Sequence, residues 1–320
     1  MVALLLSFSF VFVGCGKKDN VVRVNEVTHS IFYAPLYVAI NKGYFEDEGL
    51  TIELTNGGGS DKSMTALVSG AADIILAGPE TSVYVAAQGR NDQPKVFGQL
   101  TRCDGSFIIG REDIPNFTLQ DLSGKEIIGG RPGGMPAMTL EHIVRQAEVE
   151  NVTFNTTIDF NNTVAAFLGG TADFVTAFEP LASDIVAQGK GYILASVGEL
   201  SGSIPYTAFM ATSSYLTNKS GTAEAFLRAV KRAYDFITDE HTTIDEIVEA
   251  LYPSFSTSTR ESIRASVTSY IAINAWNPTP VMSEESFNNL IDILTEAGTL
   301  TTQVTFAQVV DNTIANKLVG

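Results

Sequence analysis

The chain has 320 residues, 45% of them hydrophobic, enough to bury one large core or two medium ones, and its length favours two domains. With 36 acidic against 20 basic residues the formal charge is −16, which works against a surface that must attract nucleic acid or anionic lipid. Two cysteines and three histidines leave no material for a cysteine-rich knuckle or a multi-histidine metal centre.

Residues Val2 to Val13 form an almost unbroken apolar run, too short to cross a bilayer as a helix, that closes on Gly14 and Cys15. That is the layout of a secretion signal. Phe12-Val13-Gly14-Cys15 resembles the lipobox of bacterial lipoproteins, with Phe12 where Leu is usual, and the resemblance implies lipidation of Cys15. Residues 1–20 then read as signal and flexible tether.

Val21 to Val27 alternates as a strand, and Pro35 suits the first turn of a helix running to Lys42. Gly43 and Gly49 punctuate the chain before a second strand, Leu50 to Leu54. Ala66 to Glu80 reads ALVSGAADIILAGPE, and one hundred positions later Ala166 to Pro180 reads AFLGGTADFVTAFEP. Each copy is a helix end, a glycine turn, an Ala-Asp pair, a short apolar strand and a Pro-Glu or Glu-Pro corner. Strand Glu126 to Gly129, the Pro136 helix and strand Val152 to Thr157 complete the second copy. The spacing predicts two α/β lobes with mostly parallel sheets, whose strand ends face a shared cleft. The chain is expected to cross between lobes through residues 99–110 and again through 205–213. Beyond Thr222 amphipathic helices follow, with Phe226, Leu227, Val230, Tyr234 and Ile237 at helical spacing, read as scaffold packed chiefly on the first lobe.

Ala34-Pro35-Leu36, Gly43-Tyr44-Phe45, Glu48-Gly49-Leu50, Gly57-Gly58-Gly59, Ser69-Gly70, Ala72-Asp73 and Leu122-Ser123-Gly124-Lys125 together resemble the nitrate, sulfonate, taurine and thiamine-pyrimidine-precursor binding family of ABC importers. The resemblance covers roughly residues 21–240. It implies a hinged α/β periplasmic-binding-protein fold of type II with additional C-terminal helices. Lobe one is then 21–104 plus 211–320, and lobe two 105–210. It also implies capture of a small-molecule solute, delivery to an ABC permease with its ATPase, and no catalysis. The expected location is extracytoplasmic, either lipid-anchored through Cys15 to the outer face of the cytoplasmic membrane or periplasmic; the expected state is monomeric, without metal, cofactor or nucleic acid. The alternative is a pyrimidine-biosynthesis enzyme on the same fold, although the cysteine-rich string of those enzymes is absent.

The candidate ligand contacts lie at strand ends. His29, Ser30, Phe32 and Tyr33 offer a ring donor, a hydroxyl and aromatic faces after the first strand. Gly78, Glu80 and Thr81 form one corner, and Phe178 and Glu179 its equivalent, so that two carboxylates could accept hydrogen bonds from a nitrogen-rich ring. Arg131, Gly133, Gly134 and Met135 precede the Pro136 helix, where free amides and a guanidinium suit a carboxylate or sulfonate. Phe160 and Asn161 repeat the strand-end theme, and Tyr206 is a lid aromatic. A flat heterocycle is slightly favoured over a small organic anion. Asp73 and Asp173 are expected to be structural, and Cys103 an inert thiol near the hinge.

Overall fold

The computed structural model describes residues 20–319. The proposed signal and Cys15 lie outside the described residues. Among the described residues ten strands form two five-stranded sheets. The first contains β1 (Asn20–Glu26), β2 (Leu50–Asn56), β3 (Ile74–Ala77), β4 (Pro94–Thr101) and β10 (Thr207–Thr212), in the order β2-β1-β3-β10-β4. The second contains β5 (Ser106–Gly110), β6 (Glu126–Ile128), β7 (Thr153–Asn155), β8 (Phe174–Phe178) and β9 (Tyr192–Ser196), in the order β7-β6-β8-β5-β9. In each sheet the fourth strand runs antiparallel to its neighbours and the first three are parallel. The two sheets are therefore one pattern used twice.

The hundred-residue repeat accounts for that pattern at the level of single bonds. Asp73 Oδ2 accepts the Arg23 amide at 2.9 Å, and Asp173 Oδ2 accepts the Glu126 amide at 3.0 Å, each tying a helix-to-strand turn to the second strand in its sheet's order, β1 and β6. Each turn is opened by a glycine in the left-handed region, Gly70 at φ +77° and Gly170 at φ +92°, a conformation that other residues resist. Both aspartates are thus placed at the strand end remote from the cleft.

Two connections join the lobes, residues 102–105 between β4 and β5 and residues 202–206 before β10. They lie side by side: the Ile204 amide donates to the Arg102 carbonyl at 2.9 Å, and Thr101 Oγ1 is 2.6 Å from Thr207 Oγ1. Residues 207–210, expected in the second lobe, are in the first sheet, because β10 pairs with β3 and β4.

The helix Ser220–Thr238 buries Phe226, Leu227, Val230 and Ile237 as its periodicity requires, with Phe226 5.0 Å from Phe45 in the first lobe. The later helices depart from expectation. Arg260–Ala272 and Glu284–Glu296 also grip the second lobe: Asp184 accepts from Ser262 Oγ at 2.5 Å and Ser258 Oγ at 3.0 Å, and Glu296 meets His142 at 2.7 Å and Arg145 at 3.2 Å. One apolar core accordingly runs from Val24 in the first sheet through Phe32 and Tyr270 to Val175 in the second.

Candidate functional site

The C-terminal ends of the parallel strands face each other across the interlobe cleft, as the first three strands of each sheet share one direction. Two cavities lie there, with Phe160 in the wall of both. The first, of about 270 Å³, lies between Glu80, Thr81 and Tyr84 of one lobe and Arg131, Gly133 and Gly134 of the other. The second, of about 210 Å³, is lined by Thr28, His29, Asn161, Phe178 and Glu179 among others.

Glu80 opens the helix Glu80–Ala87 after β3 and is fully buried. Neither carboxyl oxygen has a hydrogen-bond partner. Burial pushes its pKa up to about 8, softened by its own amide, the Met135 amide and the Ser60 hydroxyl, which lie nearby. Thr81 lines the same cavity, but its hydroxyl does not cap the helix; it donates to the Gly78 carbonyl at 2.7 Å.

Glu179, the equivalent corner, has a different fate. Its carboxylate accepts the Ser183 amide and hydroxyl, both at 2.8 Å, and Ser266 Oγ at 3.3 Å. Burial raises its pKa, and those donors oppose the rise. The expectation of two carboxylates offered as a pair to the ligand is therefore corrected: Glu80 is unpartnered, whereas Glu179 is spent on holding its own helix and the C-terminal helices.

Arg131 is likewise engaged, its Nη2 lying 2.9 Å from Asp61 Oδ2 across the cleft. Lys62 Nζ of the first lobe reaches Asp159 Oδ2 of the second at 2.8 Å, with the charges reversed, so two oppositely wired ion pairs join the lips over the first cavity. The helix start at Met135 is less open than a glycine pair suggests. The Gly134 amide donates to the Arg131 carbonyl at 3.2 Å, Pro136 has no N–H, and the Met135 amide faces Glu80. An anion would find a carboxyl already there.

His29 stands at the end of β1. Its Nε2 is 2.8 Å from the Ser254 carbonyl, which can only accept, and its Nδ1 is 3.2 Å from Glu26 Oε1 and 2.9 Å from the Tyr37 hydroxyl. The doubly protonated ring satisfies all of these partners, and the Glu26 hydrogen bond raises the pKa above its ordinary value against some desolvation. The ring also stacks on Phe255 at 4.5 Å. With both nitrogens occupied, His29 contributes ring surface to the second cavity and no free donor, which corrects its expected role.

Six expected contacts line neither cavity. Ser30 accepts the Phe32 amide and donates to the Glu179 carbonyl; Phe32 packs among Tyr270, Phe178 and Tyr206 at 5.1 to 5.8 Å. Tyr33, Gly78, Met135 and Tyr206 are buried behind the cavity walls. Gly133, Gly134, Phe160, Asn161 and Phe178 are at cavity walls as expected. Ser60, Asp61, Met64 and Tyr84 were not singled out by sequence. The signal for the first two was the glycine triplet 57–59 at the end of β2, and for Tyr84 its position one helical turn after Glu80. Cys103, 5% exposed, has its thiol pushed up to about 12 by burial and is no nucleophile. Among the described residues no His, Cys, Asp and Glu cluster could hold a metal, and no helix is long and apolar enough to cross a membrane.

Comparison with known proteins places this geometry in a lineage. A family profile described as "NMT1/THI5 like" matches residues 31–243. The "Putative binding protein YtlA" of Bacillus subtilis (strain 168) is 39% identical over 314 residues, covering 97% of this chain and 93% of that one. The alkanesulfonate-binding protein SsuA from Xanthomonas axonopodis pv. citri, solved with bound MOPS, superposes with a TM-score of 0.74 at 17% identity, covering 91% of this chain and 98% of that one. The periplasmic nitrate-binding protein NrtA from Synechocystis PCC 6803 gives 0.72 at 15% identity, covering 94% and 88%. The fold is that of the periplasmic binding proteins.

Proposed function

This chain belongs to the NMT1/THI5-like family of binding proteins, and from that premise we propose that it is the solute-binding component of an ABC-type importer, taking a flat, nitrogen-bearing ring between its lobes. The observation that carries this reading is the first cavity: both lobes line it, its walls include Phe160, Tyr84, Pro132 and Val85, and a single buried carboxyl without a partner faces it. Apolar walls with one or two placed polar groups suit a small ring. Ion pairs and the Tyr84–Gly133 hydrogen bond join the lips over that cavity, so ligand contacts from both sides would favour the closed arrangement. The structural neighbours named for alkanesulfonate and nitrate suggest an anion instead. Against that, the guanidinium of Arg131 is held by Asp61, and a carboxyl occupies the place an anion would need.

In this role the protein acts outside the cytoplasm as a monomer, either held through lipid on Cys15 to the outer face of the cytoplasmic membrane or free in the periplasm, and hands its solute to a permease. A thermal-shift screen of aminoheterocycles against sulfonates and carboxylates tests the ligand class, because a true ligand at 100 times its Kd stabilises by about 2.7 kcal/mol. Uptake of the best hit in a strain lacking the gene tests transport. Stabilisation by sulfonates alone would reverse the ligand preference, and undiminished uptake would remove the transport role. Loss of membrane fractionation on Cys15→Ala tests the anchor.

A further inference from the structure

We propose that Glu80 makes the first cavity selective for cationic, amidine-like rings and against anions, and that such a ligand displaces the proton of the Glu80 carboxyl when it binds. The proposal rests on the reading of that cavity as the solute site. Its basis is a contrast among buried carboxyls. Glu179 has three hydrogen-bond donors and one oxygen of Asp104 has the Ser106 amide and hydroxyl at 2.7 and 2.6 Å, whereas Glu80 is fully buried and neither of its oxygens makes a hydrogen bond, the Met135 amide and the Ser60 hydroxyl lying only nearby. A buried polar group is ordinarily satisfied, so two acceptors without a bonded donor, on a residue of the cavity wall, point to a partner that arrives from outside.

The surroundings say which partner. The charged groups on the cavity wall are Asp61 and Arg131, and these neutralise each other at 2.9 Å. The other titratable neighbours are the phenols of Tyr33, Tyr84 and Tyr206, all pushed up by burial and none cationic. No cation among the described cavity residues is left for Glu80. With its pKa near 8, the empty cavity holds a neutral carboxyl at pH 7. A benzoate or sulfonate entering there brings a charge that only one O–H can meet. An amidinium brings two parallel N–H donors and the opposite charge, matching the two oxygens of the ionised form. The proton balance is fixed by the ligand: a cation plus the carboxyl gives an ion pair and one proton released to solvent, while a neutral ring base takes the proton onto its own nitrogen and releases none.

The test compares benzamidine, benzoate and benzenesulfonate, three flat rings of one size, by calorimetry and thermal shift on the full chain between pH 5.5 and 8.5. Benzamidine should be the one that binds. Its affinity should rise about tenfold per pH unit below 8 and level off above, because only the ionised fraction is competent. Calorimetry in two buffers of different ionisation enthalpy should show close to one proton released at pH 6.5. Glu80→Gln should lose at least tenfold in benzamidine affinity together with the pH slope, while melting no lower than wild type. Tyr84→Trp, which fills the cavity, locates the binding. An anion that binds better than benzamidine and is expelled by Tyr84→Trp overturns the charge assignment and leaves the cavity as the site. Benzamidine binding that ignores Glu80→Gln overturns it as well. If no probe binds, or if binding is indifferent to Tyr84→Trp, the cavity reading falls and this proposal falls with it.

Discussion

The Tyr84 hydroxyl of the first lobe lies 3.0 Å from the Gly133 carbonyl of the second, to which it donates, with Thr299 Oγ1 3.2 Å away on a third segment. The contact bridges the two lobes across the first cavity, so an opening of the cleft would break it. Tyr84→Phe keeps the ring in the cavity wall and removes the hydrogen bond, a loss of about 1 kcal/mol from the closed state. Ligand dissociation measured by stopped flow should accelerate roughly fivefold, with the urea midpoint of the empty protein little changed. An unchanged dissociation rate would show that the hydroxyl does not hold the lobes.

The lip ion pairs make a separate and weaker contribution. Lys62–Asp159 and Arg131–Asp61 are partly exposed, and the lysine and arginine beside Asp159 lower its pKa, the Lys62 hydrogen bond most. Exposed pairs are screened by salt. Lys62→Ala should therefore weaken ligand binding by no more than about fivefold at low salt, and the difference from wild type should shrink towards nothing in 0.5 M NaCl. A salt-independent loss would point to packing by the lysine stem instead.

His29 sets a pH dependence whose sign follows from its raised pKa. The charged ring is favoured in the folded state, so its contribution is fully present below about pH 6.5 and fades as pH rises through the folded value. Because the side chain is 45% exposed, the contribution should be at most about 1 kcal/mol. The stability difference between wild type and His29→Gln, from urea titrations, should be largest at pH 5.5 and smallest at pH 8.5. A difference that grows with pH would contradict the assigned hydrogen bonds.

Gly133 and Gly134 should behave differently, although the sequence presents them as a pair. Gly134 has extended backbone, φ −94° and ψ 151°, that any residue adopts, whereas Gly133 sits at φ +70°. Gly133→Ala places a side chain in the left-handed region at about 1–2 kcal/mol, next to Tyr84 Oη 3.9 Å away. Gly134→Ala meets nothing nearer than 3.5 Å and should be close to neutral in thermal melts. Equal effects of the two would mean that the loop relaxes in solution.

The parts legible in the sequence are those whose partners recur at fixed spacing. Asp73 and Asp173 announced equal roles because the repeat carries both the turn and the strand it binds, and the two sheets followed. What could not be read was the use made of a side chain by a distant one. Glu80 and Glu179 occupy matching corners, yet only the second is met by Ser266, 87 positions away. His29 looks like a free ring donor until Ser254, 225 positions on, takes its Nε2. The C-terminal helices show the same limit: amphipathic spacing says that one face is buried, not that it is shared between two lobes.

That sharing has a mechanical consequence. Tyr270 donates to the Gly105 carbonyl at 3.0 Å and accepts the Glu179 amide at 2.9 Å, while Ser258 and Ser262 hold Asp184, all at the back of the molecule beside the two connecting strands. Such bonds tolerate only tenths of an ångström before they break. A rotation small enough to spare them moves the lips, at the far end of the lever, by several times more. If the lobes open, the molecule would act as a tweezer with a stiff heel, in which Lys62 and Asp159 would part widely while Glu179 and Ser266 would barely shift, the angle being limited from behind rather than at the mouth.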